Sequence, residues 1–453
     1  MTRFLFATIP AVGHTMPALP IAQNLVQRGH DVRWYAGAAF ADAIEAIGAR
    51  FCPMSGDDLS VVGFDGFFPE RSRYSGLRKL QFDMVHGFAR PIRTYLPDLQ
   101  ALLAAEPAEL LVADTGFQAA VLASELGGPP VATFGISVVG FPSRDLPPFG
   151  FGLPPYRGAL SRLRGRVLDG LARSVVFRPM TREVNRIRTE VGLPRTAQSM
   201  FEYPLASSLY LQLSTPGFEY PRSDLPEIVR YVGPPRPVVD PSWSPPAWWS
   251  DLDGSRPVVL LTQGTVATDA DDLIRPGLAA LAEEGVLVVA VTGGSDPAEL
   301  GPVPANARVE RFVPFAPLLP YVDLYLTNGG FGGLQLALAA GVPVVAAGTT
   351  EDKLEVNGRV AHAGVGIDLR TDRPEPAVIR TAVQRVLTDP AYARRAGELA
   401  AEIAAAGREQ QAATLLEELV TASARDRPFE HRRSARVAIG GAMSGGRSSV
   451  REE

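Results

Sequence analysis

Residues 323–352 read DLYLTNGGFGGLQLALAAGVPVVAAGTTED, which sets out a strand, a glycine turn, a helix and a second strand in that order. Tyr325 and Leu326 close a short apolar strand. Residues 328–333 (NGGFGG) form a turn open only to small side chains, because several of its positions call for positive φ or close backbone approach. Residues 334–340 have helical composition, Gly341 stops the helix, and Pro343 opens the next apolar run. A glycine turn that leads from a strand into a helix offers unpaired backbone N–H groups and the positive helix end to an anion. The turn is therefore expected to seat a phosphate. It lacks the lysine of a P-loop and the G-x-G-x-x-G spacing of a dinucleotide site.

The alternation continues outward on both sides. Toward the C-terminal half, strands are expected at 258–261, 286–291, 309–312, 324–326 and 344–346, followed by amphipathic helices to about residue 423. In the N-terminal half, strands are expected at 4–9, 31–36, 110–113 and 131–134, with a helix over 17–28 that Gly29 ends. Such alternation implies parallel sheets covered by helices on both faces. Residues 55–75 and 136–156 break the rhythm and read as long loops rich in Gly, Pro and aromatics. Residues 233–253 are dense in proline and read as a stiff linker. The expected division is a domain over 1–232, a linker over 233–253, a second domain over 254–424 and a disordered tail over 425–453.

Composition narrows the function classes. The net charge of −5 argues against a nucleic-acid partner, which needs a basic surface. The single cysteine, Cys52, excludes an internal disulfide framework and suits the cytoplasm. The first residues, MTRFLFATIP, read as a strand rather than a signal peptide, and no apolar run reaches the length of a membrane span. Membrane contact is expected to be peripheral at most, and the oligomeric state is open.

Two similar α/β halves place a site in the cleft between them, at the carboxyl ends of their strands. Residues 11–14 (AVGH) follow the first strand, which sets His14 at such an end. An imidazole is suited to taking a proton from an attacking hydroxyl. Asp114 ends the strand LLVAD and could either cap the following helix or hold the second nitrogen of a histidine.

Taken together, NGGFGG, the A-G-V-P at 340–343, the pair Asp352-Lys353 and the G-H-x-x-P at 13–17 resemble a known family over nearly the whole chain to about residue 420. It is that of the inverting, nucleotide-sugar-dependent glycosyltransferases of the GT-B type, an α/β fold of two facing Rossmann-like domains with an interdomain cleft. The closest flavour is the bacterial branch that decorates antibiotics and other natural products. The resemblance implies His14 as general base and Asp114 as its orienting carboxylate. It implies a donor site for a UDP- or TDP-sugar co-substrate, with no separate cofactor. Gly264 and Thr265 lie in the loop T-Q-G-T, which is similar to the family's S-x-G-S/T. Phe312 and Val313 stand in R-F-V-P, similar to its base-stacking W-V-P. Asn328, Gly329, Gly330, Phe331, Gly332 and Gly333 would hold the pyrophosphate, and Glu351, Asp352 and Lys353 the sugar. The acceptor would be small and largely apolar, bound by the N-terminal domain, with Phe64, Phe67, Phe68 and Phe149 as lining candidates.

Two positions depart from the family pattern. Its usual phosphate-turn histidine is Asn328 here, which donates hydrogen bonds but is never cationic. Its usual D-Q pair reads Asp352-Lys353, which leaves glucose and deoxyhexose donors equally open. No metal is expected: D-x-D occurs at 251–253 and 269–271 in linker or turn context, and His30, His86, His362 and His431 lack ligand spacing. The alternatives are a nucleotide-sugar epimerase or hydrolase on the same architecture, and a non-catalytic sugar-nucleotide-binding helper protein.

Overall fold

The computed structural model describes residues 1–56, 58–156, 158–264 and 269–426. Thr265 and residues 427–453 of the expected 425–453 tail lie outside the described residues, whereas 425 and 426 end the last helix. Among those described, two all-parallel sheets form. The first has the order β3-β2-β1-β4-β5-β6-β7. Its strands are β1 (Arg3–Ala7), β2 (Asp31–Ala36), β3 (Arg50–Pro53), β4 (Leu110–Asp114), β5 (Val131–Gly135), β6 (Leu209–Gln212) and β7 (Val229–Tyr231). The second has the order β10-β9-β8-β11-β12-β13. It uses β8 (Val258–Thr262), β9 (Leu287–Val291), β10 (Ala307–Glu310), β11 (Leu324–Thr327), β12 (Val344–Ala346) and β13 (Gly366–Asp368). Strands β4, β5, β8 and β9 are buried along their whole length, which is why they read as unbroken apolar runs rather than alternating ones.

In each sheet the strand order reverses once, between β1 and β4 and between β8 and β11. Loops leaving the carboxyl ends of those strands diverge, and the crevice between them is where open α/β sheets bind ligands. The two sheets direct such ends at each other. The Ser137 hydroxyl, two residues past β5, donates to the Asp352 carboxylate, which follows β12.

Three local expectations change. Residues 55–75 are not a loop. Asp58 accepts from the Ser60 amide at 2.9 Å and caps a helix, Leu59–Phe67, followed by a 3-10 turn, Pro69–Arg73. The helix is broken at Gly63 (φ 69°), which hides its periodicity. Phe312 is not in a strand: β10 stops at Glu310, and Phe312 stands 70 % exposed beside a buried Val313. In the glycine turn only Gly329 takes positive φ, at 94°. The helix starts at Phe331, so Gly332 and Gly333 lie inside its first turn. Gly333 answers to close packing, since a Cβ there would meet the Tyr325 hydroxyl at 2.7 Å.

A buried ionic network ties the halves together. Arg359, 2 % exposed, donates to Glu219 at 2.8 Å and to Glu355 at 3.1 Å, and its guanidinium lies 4.3 Å from the Tyr220 ring centre. Both carboxylates also grip the segment after β5. Glu219 accepts from the Val139 amide at 3.0 Å, and Glu355 accepts from the Gly150 and Gly152 amides, each at 2.9 Å. The last helix, Arg408–Asp426, returns to the N-terminal half, where Glu417 accepts from Arg28 at 2.6 Å and pairs with His30 at 2.6 Å.

Removing one member of a buried charge network leaves the others uncompensated. Arg359→Ala is expected to cost about 3–5 kcal/mol of stability. It should appear as a clear drop in the urea midpoint. Arg373→Ala, which breaks the more exposed pairs with Asp269 and Asp272, should move the midpoint far less.

Candidate functional site

His14 sits on a single helical turn, Val12–Thr15, directly after β1. Hydroxyls hold that turn in place. The buried Thr15 hydroxyl lies 3.0 Å from that of Thr8 and donates to the Ile9 carbonyl at 3.3 Å, and the Trp34 indole N–H donates to Thr8 at 3.1 Å. The turn therefore cannot rotate without breaking buried hydrogen bonds. Its histidine Nδ1 lies 2.7 Å from Asp114 Oδ1. The helix after β4 begins at Gln118, so the Asp114 side chain is free of its N-cap and turns to His14 instead.

The same carboxylate accepts from the Ile9 amide at 2.8 Å and the Gly116 amide at 2.7 Å. Asp114 is fully buried at its side chain, whereas that of His14 is 16 % exposed. Every group facing the carboxylate is thus a donor, which assigns the proton of the neutral imidazole to Nδ1. Nε2 is left with its lone pair as an acceptor. Packing keeps the arrangement tight, because a Cβ on Gly116 would meet Phe88, Asp114 and His14 at 2.9–3.1 Å.

Aromatic side chains lead away from His14. Phe88 lies 6.0 Å from its ring, on a π-helical turn, Val85–Ala89. His86 on the same turn stacks on Phe82 at 3.9 Å and meets Phe68 at 5.0 Å. Burial lowers the His86 pKa, so the ring is neutral near pH 7 and serves as part of an apolar wall. Phe68 also packs on Phe64 and Phe67, both at 5.1 Å. Phe149 belongs to another cluster, with Phe201 at 4.5 Å, so the four candidate phenylalanines do not form one group.

The second half presents a helix end whose free amides an anion would fit. Helix Phe331–Ala339 has no side-chain cap, and its first intrahelical bond runs from the Leu334 amide to Gly330 O at 3.1 Å. The amides of Phe331, Gly332 and Gly333 therefore carry the positive end of the helix without an intrahelical acceptor. Asn328 is 7 % exposed. Its Nδ2 donates to the Gln263 carbonyl, and its Oδ1 accepts from the Gly330 amide at 3.3 Å. It staples the loop after β8, where Gly264 holds φ 78°, to the loop after β11.

Lys353 is buried, with its ammonium on Glu351 and 3.4 Å from the Thr350 hydroxyl. Glu351 takes φ 55°, a conformation that costs a non-glycine residue energy and is concentrated at functional sites. Burial pushes the neighbouring Asp352 carboxyl above the usual range, against the Ser137 hydrogen bond and the Lys353 charge. Among the described residues, no group of three or more His, Cys, Asp or Glu side chains is placed to hold a metal.

Ser137, Glu219, Glu355 and Arg359 were not singled out from the sequence. Glu355 and Arg359 stand four residues apart on one helix, but the contacts that join the halves span 140 to 215 residues, and no local pattern marks them.

Comparison with known proteins supplies the context. The family model described as the C-terminal domain of erythromycin biosynthesis protein CIII-like proteins matches residues 277–419. A Lentzea aerocolonigenes protein named 4'-demethylrebeccamycin synthase is 46 % identical over 420 residues, covering 92 % of this chain and 99 % of its own. UDP-glucosyltransferase 1 of Beauveria bassiana is 32 % identical over 436 residues, covering 87 % and 90 %. The crystal structure of CalG4, the calicheamicin glycosyltransferase, superposes with a TM-score of 0.72 at 25 % identity, covering 94 % of this chain and 100 % of that one.

Gly329→Ala tests the anion-binding turn. A Cβ there would be forced to positive φ and driven into the Asn357 side chain. We expect nucleoside diphosphate affinity to fall at least about tenfold, a loss on the scale of backbone strain at a special φ. Calorimetric titration with UDP and TDP, with a melting curve to verify folding, reads the effect.

Proposed function

This chain belongs to the natural-product glycosyltransferases of the GT-B architecture, and on that premise we propose that it transfers a sugar from a UDP- or TDP-activated donor to a hydroxyl of a small, largely apolar acceptor, with inversion. The observation that carries the reading is the His14–Asp114 pair at 2.7 Å, set in the crevice between β1 and β4. Nε2 of His14 takes the proton of the acceptor hydroxyl as its oxygen attacks the anomeric carbon. Asp114 keeps the proton on Nδ1 and offsets the charge of the imidazolium that forms. The bond to the nucleoside diphosphate breaks on the opposite face of the sugar, which inverts the anomeric centre.

On the donor side, the amides of Phe331, Gly332 and Gly333 stabilise the departing diphosphate with the helix dipole behind them. Exposed Phe312 stacks on the base, beside the backbone of Val313. Gly264 approaches the phosphates from the loop after β8, and Thr265, which the resemblance pairs with it, lies outside the described residues. Glu351, Asp352 and Lys353 face the sugar hydroxyls. Asn328 acts through its staple rather than as a charged contact, so the positive end of the helix takes a larger share of the leaving-group charge than a cationic side chain would leave it.

Phe68, with Phe64 and Phe67 packed on it, meets His86 on the turn that also carries Phe88, which supports an apolar acceptor on that side. The name of the Lentzea relative puts acceptors related to 4'-demethylrebeccamycin first in an assay panel. The name of the Beauveria relative does the same for UDP-glucose as donor.

His14→Ala is expected to lower kcat by roughly a hundredfold or more, the usual contribution of a positioned general base. Diphosphate binding should be retained. Transfer at the parent rate would overturn the mechanism, and product NMR showing retained anomeric configuration would overturn inversion. The donor sugar is tested separately. Lys353→Gln should change the ratio of glucose to deoxyhexose turnover by about tenfold, the scale of one charge-assisted hydrogen bond. An unchanged ratio would remove Lys353 from sugar selection.

A further inference from the structure

One surface helix of this chain has its faces reversed. Helix Ala159–Leu171 continues into a π-helical turn, Ala172–Val176. A helix on a globular surface ordinarily turns its large apolar residues inward and its charges outward. Here the inward side is made of small residues. Gly165 is buried so close to Tyr156 that a Cβ would overlap its hydroxyl, and Ala172 is 1 % exposed. The large apolar residues point out. Leu160, Leu163, Val167 and Leu171, spaced by three and four, are 82, 57, 67 and 47 % exposed.

Arginines border this stripe on both sides. At about 100° per residue, Arg164 falls on one flank and Arg162 and Arg166 on the other. All three are exposed and form no ion pair among the described residues. The one acid of the helix, Asp169, is already engaged by Arg173 at 2.9 Å. Between residues 158 and 182 there are six arginines and this single acid, in a chain whose net charge is −5. Helix Gly76–Met84 extends the face. Its Gln81 donates to the Val175 carbonyl at 2.8 Å, and its Leu77 and Leu80 are 43 and 44 % exposed.

We propose that this face docks on an anionic lipid bilayer, with the 159–171 helix lying in the interface plane. The stripe enters the acyl boundary while the flanking arginines reach lipid phosphates, the arrangement that basic amphipathic helices adopt at membranes. Charge selects this occupant over a second copy. A two-fold contact would bring the same arginine-rich patch against itself with no free acid to neutralise it. No helix among the described residues is long and apolar enough to cross a membrane, so the attachment is peripheral. Helix Gly76–Met84 also carries Phe82, which meets Phe68 at 5.8 Å. Docking therefore sets the aromatic side of the His14 crevice beside the lipid, where an apolar acceptor partitions.

The test is cosedimentation of the full chain with vesicles of phosphatidylcholine alone and of phosphatidylcholine with one-third phosphatidylglycerol. Binding to the anionic vesicles is expected, roughly tenfold or more above the neutral ones, and weakened by salt. The pairs L163Q/V167Q and R164Q/R166Q should each lower it by about tenfold or more with the parent's melting temperature. As a readout independent of those variants, Leu160→Cys labelled with an environment-sensitive dye should shift to the blue on anionic vesicles; the native Cys52 is buried.

No binding by the parent, or binding by both pairs equal to the parent's, overturns the proposal. So does a dimer that L163Q/V167Q dissolves while the parent ignores vesicles, which would assign the face to a second copy.

Discussion

A guanidinium and two carboxylates removed from water are tolerated only when each finds its partner, and the Glu219–Arg359–Glu355 network makes that requirement the hinge of this structure. Glu219 follows β6 in the first half, and Glu355 and Arg359 share one helix of the second. The charges can be satisfied only when the halves meet in one register. Because both carboxylates also accept amides from the segment after β5, that register fixes a wall of the cleft as well. Apolar burial holds the halves together without direction, whereas this network specifies how they face.

Much of the fold could be read from the chain because its determinants are local. The glycine turn, the apolar runs and the Gly stops each lie within a few residues of what they control, and the two sheets follow from their alternation. The helix Leu59–Phe67 escaped because Gly63 interrupts it and its aromatics mask an amphipathic period. The contents of the cleft are a different matter. That His14 and Asp114 stand at strand ends can be seen in sequence, but the two further amides on Asp114, which settle the imidazole tautomer, come from chain folded around it. Ser137 on Asp352 spans 215 residues and has no signature at either end.

The two departures from the family pattern look different in three dimensions. Asn328 seemed a weakened phosphate ligand, yet its amide is committed to the Gln263 carbonyl and its oxygen to Gly330. Its size and neutrality suit a staple between two loops. Lys353 stands where the family carries glutamine, and its ammonium lies on Glu351 while its stem fills the space beside Gly348. In both cases the side chain shapes the turn first, and any contact with a ligand is made through that shape.

The hydrogen bond from Ser137 to Asp352 has a thermodynamic consequence. Its donor and acceptor belong to opposite walls of the cleft, and the acceptor carboxyl is held above its ordinary protonation range by burial. A ligand that takes the same Asp352 oxygen must displace Ser137 and so releases a latch on the facing wall. Occupancy on one side and mobility on the other are then reciprocally linked, and the linkage acts equally in both directions. A coupling between the affinities of the two substrates would follow from a single shared oxygen atom, without any movement of the domains as rigid bodies.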